Sequence, residues 1–473
     1  MINDLLKTAY EEWQNEPFIY EKVNGQYAGV TYGYVIEKAH VLAEQLIADK
    51  LSDKIILLFG KNSTDIMIAD LAITGYVGVC ANINCGLDSK AVSLILQKTK
   101  AAAILYDEDH AELFQQVATD YPDIKLYPLH QTIRSLPNAP QLFNLPDKDI
   151  NICSKLVFTS GTTSDPKAVM LSLKNIFAGW EPSDYRTPHT KEDVGYLFLP
   201  LWHVYGNVIN FYYCFKYGLK IYLCSDTDKI GEELLEVRPT LFCAVPIVLR
   251  RLYEAYGDNI AHAFGDRIHF IYNSGANLDT ELIKAYKQHG LLLVNAYAMT
   301  ETAAALCVEY PNLDNYDNAG EPYENLDVQI RNANKDGIGD IVVKGDSVFM
   351  GYFNDPEQTK RAFTEDGYFI TGDYGYLRDG KMHVLGRKQD VIVCENGENV
   401  YLDDVQRELI KLAPNIVKLK GELQNGEVLY HIFAREADES LIEQAINQYN
   451  SHALKKDLIN HYDIQAVSSA DIK

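Results

Sequence analysis

The sequence lacks the cysteine spacing that structural zinc sites and disulfide frameworks use. Its eight cysteines, at positions 80, 85, 153, 214, 224, 243, 307 and 394, include no Cys-x-x-Cys pair. Isolated cysteines of this kind pack as small apolar residues in a reducing compartment. We therefore expect a cytoplasmic protein without structural zinc.

The sequence is also poor in basic residues. Lys and Arg number 43 against 66 for Asp and Glu, which gives a formal net charge of −23. A surface of that sign repels nucleic acid and anionic membranes, so we expect neither as a partner. We expect no membrane span, because the longest apolar stretch is interrupted by His203, Asn207 and Asn210. The first residues, MINDLLKTAYEEW, lack the basic segment and the apolar core of a signal peptide, so no export is expected.

What the chain does contain is enough apolar material for several layers. It has 473 residues, of which 47% are hydrophobic, so more than one core is expected. From Lys54 the strand pattern KIILLFG is followed by helix patterns over about residues 63–77 and 89–100, and then by the strand pattern AAILYD. This alternation predicts a parallel α/β layered fold. The more polar residues 107–150 predict a connection between this α/β unit and the loop that follows the strand at Lys155.

In the last third of the sequence the pattern of predicted strands and helices changes. Short strand patterns separated by glycine turns begin at residue 339 and predict a compact β subdomain. Helix patterns follow near residues 402–412 and 439–455 in a smaller, charged segment. We therefore predict a large multi-layer α/β domain with a β subdomain over residues 1–386, and a small α+β C-terminal domain over residues 387–473.

The stretch KLVFTSGTTSDPK, from Lys155 to Lys167, predicts a strand that leads into a phosphate-binding loop. Apolar, β-favouring residues are followed by hydroxyl-bearing residues around a glycine, namely Thr159, Ser160, Gly161, Thr162 and Thr163. Backbone N–H groups, short hydroxyls and the ammonium of Lys167 together suit a triphosphate. The loop is not a Walker loop, because Pro166 precedes Lys167. A Ser/Thr-rich surface loop without a ligand is the alternative.

Further along, successive strand patterns end at polar or glycine-containing turns: LPLWHVYG, NSGAN and NAYAMTET. In open parallel sheets, ligands lie beyond the carboxyl ends of the strands, so these turns should face one crevice. Two structural alternatives stay open. His203 could be a core histidine bound to a backbone carbonyl, and Thr300 with Glu301 could be an ordinary helix-capping pair.

The order of these segments carries a resemblance. TSGTTSDPKAVMLS resembles the AMP-binding signature of the adenylate-forming superfamily, and LPLWHVYG, NSGAN, NAYAMTET, ITGDYGYL and GRKQDVIV resemble its later signatures in their expected order. These motifs most resemble those of fatty- and aryl-acyl-CoA synthetases. The resemblance implies an enzyme that uses ATP and Mg²⁺ to activate a small carboxylic acid. The acyl group would then pass to coenzyme A or to the phosphopantetheine of an acyl carrier protein.

The resemblance also implies roles for individual residues. It implies catalytic roles for His203, Lys167, Thr300, Glu301 and Lys473, with Glu301 as the ligand of Mg²⁺. It implies that Tyr297 stacks on adenine, that Asp373 and Arg387 contact the ribose, and that a mobile lid turns about a hinge near Gln389. The nucleotide-binding set is Thr159, Ser160, Gly161, Thr162, Thr163, Ser274, Gly275, Ala276, Asn295, Ala296, Tyr297, Asp373 and Arg387.

Several positions depart from the family pattern. Ser164 and Ala168 replace loop glycines, and Asp471 stands where a catalytic lysine is usual. Either that lysine is lost or Lys473 serves in a shifted register. A relative that binds nucleotide or acyl-adenylate with impaired adenylation is therefore the second hypothesis. Ala296 stands where a glycine often borders the acyl pocket, which predicts a short, medium or flat aryl acid over a long straight chain.

Overall fold

The computed structural model describes residues 2–138, 141–159, 167–180, 186–275, 278–303, 305–310, 312–314, 318–393, 399–424, 427–435, 438–453 and 457–467. The chain divides into two compact units. The first consists of Met1–Asp327 and Lys344–Phe363, and the second of Val328–Val343 and Thr364–Lys473. The domain boundary that we placed at residue 387 lies inside the second unit and stays a prediction.

The strands are, in chain order, β1 (Pro17–Val23), β2 (Gln26–Thr31), β3 (Ile55–Phe59), β4 (Val79–Ile83), β5 (Ala103–Tyr106), β6 (Lys125–Pro128), β7 (Cys153–Thr159), β8 (Lys167–Ser172), β9 (Val194–Leu197), β10 (Lys220–Leu223), β11 (Leu241–Ala244), β12 (Phe270–Asn273), β13 (Leu293–Ala298), β14 (Ala305–Val308), β15 (Glu321–Pro322), β16 (Leu326–Arg331), β17 (Gly339–Gly345), β18 (Gly351–Tyr352), β19 (Phe369–Arg378), β20 (Lys381–Arg387), β21 (Val391–Val393), β22 (Asn399–Tyr401), β23 (Ile416–Gln424), β24 (Glu427–Ala434) and β25 (His461–Ala466).

The α-helices are α1 (Ile2–Trp13), α2 (Tyr32–Ala48), α3 (Thr64–Ala72), α4 (Ser89–Thr99), α5 (Ala111–Asp120), α6 (Leu129–Ser135), α7 (Leu173–Trp180), α8 (Tyr213–Tyr217), α9 (Ile230–Val237), α10 (Pro246–Tyr256), α11 (Thr280–Gln288), α12 (Pro356–Ala362), α13 (Leu402–Leu412) and α14 (Glu439–Asn450). Two π-helices span Ile73–Val77 and Tyr205–Tyr212, and 3₁₀ turns lie at Glu108–His110, Thr227–Lys229, Gly257–Asn259, His262–Phe264, Thr300–Thr302 and Lys388–Asp390. Among the helices described, none is long and apolar enough to cross a membrane.

The first unit contains two large sheets. One has the strand order β15-β14-β13-β12-β11-β9-β10-β1-β2 and is parallel from β13 through β1. The other has the order β18-β8-β7-β4-β3-β5-β6 and is parallel from β7 through β6. Helices that follow the strands, such as α4 after β4, bury their apolar faces on the sheets. The predicted parallel α/β fold is confirmed.

Residues 107–150 hold more regular structure than we predicted. They contain α5, β6 and α6, and β6 pairs with β5 at the edge of the second large sheet. The segment does connect β5 to β7, the strand ahead of the predicted phosphate loop, and it also adds a strand to the sheet. An edge strand of four residues is half-solvated, so it carries little of the apolar pattern that marks a central strand.

A buried ion pair joins three elements of the first unit. Asp70 on α3 and Lys155 on β7 are each 1% exposed, and the lysine Nζ lies 2.6 Å from Asp70 Oδ2. From the second π-helix, Tyr212 donates its hydroxyl to Asp70 Oδ1 at 2.6 Å, and Asn207 donates its amide to Oδ2 at 2.9 Å. The carboxylate thus fixes the base of β7, the strand that leads to the predicted phosphate loop, against the helix that follows His203.

The second unit contains three smaller sheets, in the orders β16-β17-β19-β20, β21-β22 and β23-β24-β25. Its C-terminal core is made by Leu409 of α13, Ile442 of α14 and the inner face of β24, which includes Tyr430 and Ile432. Helix α13 spans the range predicted from sequence, while α14 ends at Asn450, earlier than predicted. The α+β character expected for this part of the chain is confirmed.

Candidate functional site

The predicted phosphate loop is closed by a β-hairpin. Strands β7 and β8 are antiparallel, and their last register pair is Thr159 with Lys167. Because those two residues are paired, the first and last residues of the loop lie next to each other. Its residues Ser160, Gly161, Thr162 and Thr163 lie outside the described residues. The strand predicted ahead of the loop is confirmed, and the roles of the loop residues stay predictions.

Lys167, Tyr352 and Glu301 meet beside this hairpin. The Lys167 ammonium lies 5.4 Å from the centre of the Tyr352 ring. The Tyr352 hydroxyl donates to Glu301 Oε1 at 2.9 Å. Because a carboxylate can accept several bonds, this single bond leaves Glu301 the capacity to bind a cation. Tyr352 therefore has a positive group over its ring and a negative group at its hydroxyl.

Backbone pairing fixes the position of Tyr352. Strand β18 pairs with β8, where Tyr352 faces Val169, and the Phe349 N–H donates to the Glu301 carbonyl at 2.7 Å. Sequence reasoning missed Tyr352, because an aromatic residue after a glycine in a short strand is common. Pairing with β8, nearly two hundred residues earlier, is a long-range event that local pattern does not show.

Thr300 and Glu301 form the 3₁₀ turn after β13. The turn is preceded by Met299 and no side chain caps it, so the capping alternative for this pair is wrong. The carboxylate of Glu301 is used across space, toward Tyr352, instead of along its own turn. Thr300 is half-buried one residue before it.

The glycine turn after β12 and strand β13 lie side by side at the same sheet edge. Strands β9, β11, β12 and β13 are parallel, so their carboxyl ends lie at one edge of the sheet. That the turns after them face one crevice stays a prediction. Ser274 is buried and its N–H donates to the Ala244 carbonyl at 3.3 Å, and Gly275 has φ +89°, a conformation that favours glycine. Ala276 lies outside the described residues. Tyr297 is half-buried on β13.

Asn295 serves the sheet rather than an open surface. Its side-chain oxygen accepts from Asn273 at 3.1 Å, and its backbone N–H donates to Glu309 at 3.2 Å. Glu309 in turn accepts from the buried Lys287 at 2.6 Å. These bonds hold β12, β13 and β14 together beneath the predicted adenine site.

A cavity lies under this sheet edge, and its free volume is about 50 Å³. Ala296 and Ser274 from the predicted nucleotide set are in its wall. Burial raises the pKa of the Cys243 thiol to about 12 and the pKa of the Tyr205 and Tyr272 hydroxyls well above their ordinary value, so all three stay uncharged. The lining residues are Trp180, Thr187, Tyr205, Ile209, Tyr213, Leu241, Cys243, Tyr272, Ser274, Ala296, Ala298, Val308 and Tyr323.

His203 lies in the turn after β9, outside the set of residues that line the cavity. Its side chain is exposed, so the alternative of a buried core histidine is wrong. The ring Nδ1 accepts from the Tyr205 N–H at 3.2 Å, which places the proton of the neutral ring on Nε2. Although one side of the ring is open, protein atoms around the other side desolvate it and lower the pKa of His203. It presents a neutral N–H donor at neutral pH.

In the second unit, Asp373 and Arg387 are register partners on β19 and β20. The guanidinium Nε lies 3.2 Å from Asp373 Oδ1, and Arg387 also donates to the Thr371 carbonyl at 3.1 Å. Gly372 has φ +78° and lets the chain turn sharply before the carboxylate. The structure thus brings these two predicted ribose ligands together. Lys473 and Asp471 lie outside the described residues.

The chain is similar to proteins that are already known. Residues 6–353 match the AMP-binding enzyme family. The chain is 27% identical over 397 residues to a 2-succinylbenzoate–CoA ligase of Bacillus cereus, covering 80% of this chain and 78% of the relative. It is 23% identical over 500 residues to long-chain-fatty-acid–CoA ligase 5 of Rattus norvegicus, covering 86% and 72%.

Solved structures share the fold. O-succinylbenzoate coenzyme A synthetase (MenE) from Bacillus subtilis, in complex with AMP, superposes with a TM-score of 0.83 at 19% identity, covering 98% of this chain and 94% of that one. ATP-bound MatB from Rhodopseudomonas palustris superposes with a TM-score of 0.83 at 20% identity, covering 99% and 95%.

Proposed function

Because the chain belongs to the AMP-binding enzyme family, we propose that it is an acid–thiol ligase that forms AMP. In the first step, a carboxylate oxygen bonds to the α-phosphorus of ATP and the bond to pyrophosphate breaks. In the second, a thiol sulfur bonds to the acyl carbon, AMP leaves and the thiol proton is released. The observation that supports this most is the meeting of Lys167 and Glu301 on Tyr352 beside the loop hairpin.

The residues act by positioning groups and by balancing charge. Lys167 offers a positive charge to the phosphates at the mouth of the hairpin, and Thr300 offers a hydroxyl to the α-phosphate. Tyr297 offers an aromatic face to the adenine. Mg²⁺ would be held by Glu301, a hard oxygen ligand, and would offset the charge of the triphosphate. The cavity below Ala296 would receive the acyl group.

The test is an acid-dependent release of pyrophosphate from ATP with a panel of carboxylic acids, followed by release of AMP in an equal amount when a thiol is supplied. Addition of coenzyme A should then give a thioester that mass spectrometry detects. Release of ADP and phosphate instead would contradict an adenylate-forming step. Nucleotide binding without turnover by any acid would support the second hypothesis, that adenylation is impaired.

Coenzyme A is the acceptor we favour, because the relatives named above are CoA ligases. Loading of an acyl carrier protein is the alternative, and thioester formation with phosphopantetheine carried by such a protein would distinguish it. A cytoplasmic location and a lid that turns about a hinge near Gln389 are further parts of the proposal.

Replacement of Asp373 by Ala should weaken ATP binding by about 1.5–3 kcal/mol, the usual loss for hydrogen bonds to a charged group. The fold should tolerate the change, because the partner Arg387 is 52% exposed and stays solvated. Isothermal titration with ATP measures the effect. An affinity equal to that of the unmodified protein would remove Asp373 from the ribose site.

The C-terminal tail offers a pair of opposing outcomes. If Asp471 marks a lost lysine, Asp471→Lys should raise the adenylation rate about 10²–10³-fold, because a positive group is restored beside the reacting phosphate. Lys473→Ala should then change little. If Lys473 is the working residue, Lys473→Ala should slow adenylation by the same factor, while transfer from pre-made acyl-adenylate survives. Single-turnover measurements of both half-reactions on both variants separate these outcomes.

A further inference from the structure

The cavity under β12 and β13 is lined in part by three aromatic side chains whose polar atoms are hydrogen-bonded inside the protein. The Trp180 indole N–H donates to the Val208 carbonyl at 3.0 Å. The Tyr205 hydroxyl donates to the Tyr272 carbonyl at 2.9 Å, and the Tyr213 hydroxyl donates to the Thr187 carbonyl at 3.3 Å. The donors of these three side chains therefore bond to backbone carbonyls of the protein.

The cavity also lacks charge along its described lining, where the residues are all uncharged. The guanidinium of Arg186 lies behind Tyr323, 4.9 Å from the centre of that ring. It donates to the carbonyls of Val308, Glu321 and Pro322 and to the carboxylate of Glu324. Its two terminal nitrogens are taken up by these acceptors, and its buried Nε has no hydrogen-bond partner among the described residues. The guanidinium is not among the residues that line the cavity.

One more ionisable pair, His189 and Asp193, contacts Tyr272 of the cavity lining. His189 lies within 3.2 Å of the Tyr272 hydroxyl through Nε2, and its Nδ1 is 3.7 Å from Asp193. The Asp193 carboxylate also accepts a hydrogen bond from the Thr240 hydroxyl at 2.7 Å and one from the Thr190 N–H at 2.9 Å. Any charge on this pair is negative or balanced, so it would not attract an anionic substituent.

The free volume limits the size of an occupant. A water molecule needs about 10–15 Å³ of such volume, so about 50 Å³ admits about four waters, or about the bulk of one small ring. A long straight chain exceeds this volume.

We propose that the acid activated here is a compact monocarboxylate with an apolar body, a flat aryl or short alkyl acid, and that acids with a second carboxylate are rejected. This inference rests on the proposed function, because it takes the cavity as the acyl site. A second carboxylate would lose its water in a cavity whose described lining offers it no cation. Ala296 also favours a compact acid, because its methyl group makes the cavity shorter than a glycine at this position would.

The experiment uses three acids that have six non-hydrogen atoms beyond the reacting carboxyl group: benzoate, heptanoate and glutarate. Their 5′-O-acylsulfamoyl adenosine analogues mimic the acyl-adenylate and bind without turnover. The benzoyl and heptanoyl analogues should bind at least 100-fold more tightly than the glutaryl analogue, and kcat/KM for adenylation should follow the same order. Palmitate should be a poor substrate.

Outcomes for the two proposals differ. A glutaryl analogue within tenfold of the benzoyl analogue, or palmitate as the best substrate, overturns the inference and leaves the ligase proposal standing. If no analogue binds and no acid releases pyrophosphate, the proposed function fails and the inference fails with it. Tight binding of the benzoyl analogue without turnover supports the inference for a protein that only binds adenylates.

A charge placed in the wall gives an independent check. Ile209 is half-buried and lines the cavity from the second π-helix. Ile209→Lys should narrow the ratio between the benzoyl and glutaryl analogues at least tenfold relative to Ile209→Met, which changes shape without adding charge. Equal ratios in two folded variants would contradict the inference. If the Lys variant does not fold, the ratio measured with the unmodified protein decides.

Discussion

Replacement of Glu301 by Gln should slow acyl-adenylate formation at least about 100-fold while the protein stays folded. The change keeps the volume of the side chain and removes its charge, and it is the charge that a Mg²⁺ ion beside a triphosphate requires. Loss of one preorganised charged group from a transition state typically costs about 10²–10³ in rate. Pyrophosphate release, measured over a series of Mg²⁺ concentrations, gives both the rate and the metal dependence.

Tyr352→Phe is the matched control for this variant. It removes the hydroxyl that bonds to Glu301 Oε1 at 2.9 Å and retains the ring that faces Lys167. The carboxylate keeps its charge, so the rate should fall by a smaller factor, about tenfold, which is the lower end of the usual loss for one hydrogen bond to a charged group. Unchanged turnover in Glu301→Gln, or an equal loss in both variants, would contradict a metal role for Glu301.

Replacement of Asp70 by Ala should lower the free energy of unfolding by about 3–5 kcal/mol, because it leaves the Lys155 ammonium buried without its carboxylate. Both residues are 1% exposed, so the ammonium has little contact with bulk water. The donors of Tyr212 and Asn207 lose the same acceptor. Denaturant unfolding of the variant measures the change.

Tyr212→Phe and a double replacement test the cause. Tyr212→Phe removes one donor and retains the ion pair, so it should cost about 1–3 kcal/mol. Asp70→Leu combined with Lys155→Met should recover much of the loss, because a buried pair replaced by apolar side chains is often neutral. A single Asp70→Ala variant as stable as the unmodified protein would show that the lysine finds another partner.

Local pattern was enough for the elements that depend on neighbours in sequence. The strand before the phosphate loop, the parallel α/β layers and helix α13 could be predicted because alternation and helical spacing act over a few residues. Segment order supported the family, which residues 6–353 match. The strand and the helices within residues 107–150 could not be predicted, because an edge strand and short helices have only weak apolar patterns.

The tertiary structure alone decided how the candidate site is assembled. Glu301 meets Tyr352 51 residues along the chain, and Asp70 meets Lys155 across 85 residues. No local signal encodes such pairings, because they depend on which strands and helices become neighbours. The residue types in each turn could be read from the sequence. The uncharged cavity, whose tyrosine hydroxyls bond to backbone carbonyls, exists only where β11, β12 and β13 lie against the second π-helix. Side-chain type is a local property, but the partner that each polar atom finds is set by the packing of distant segments.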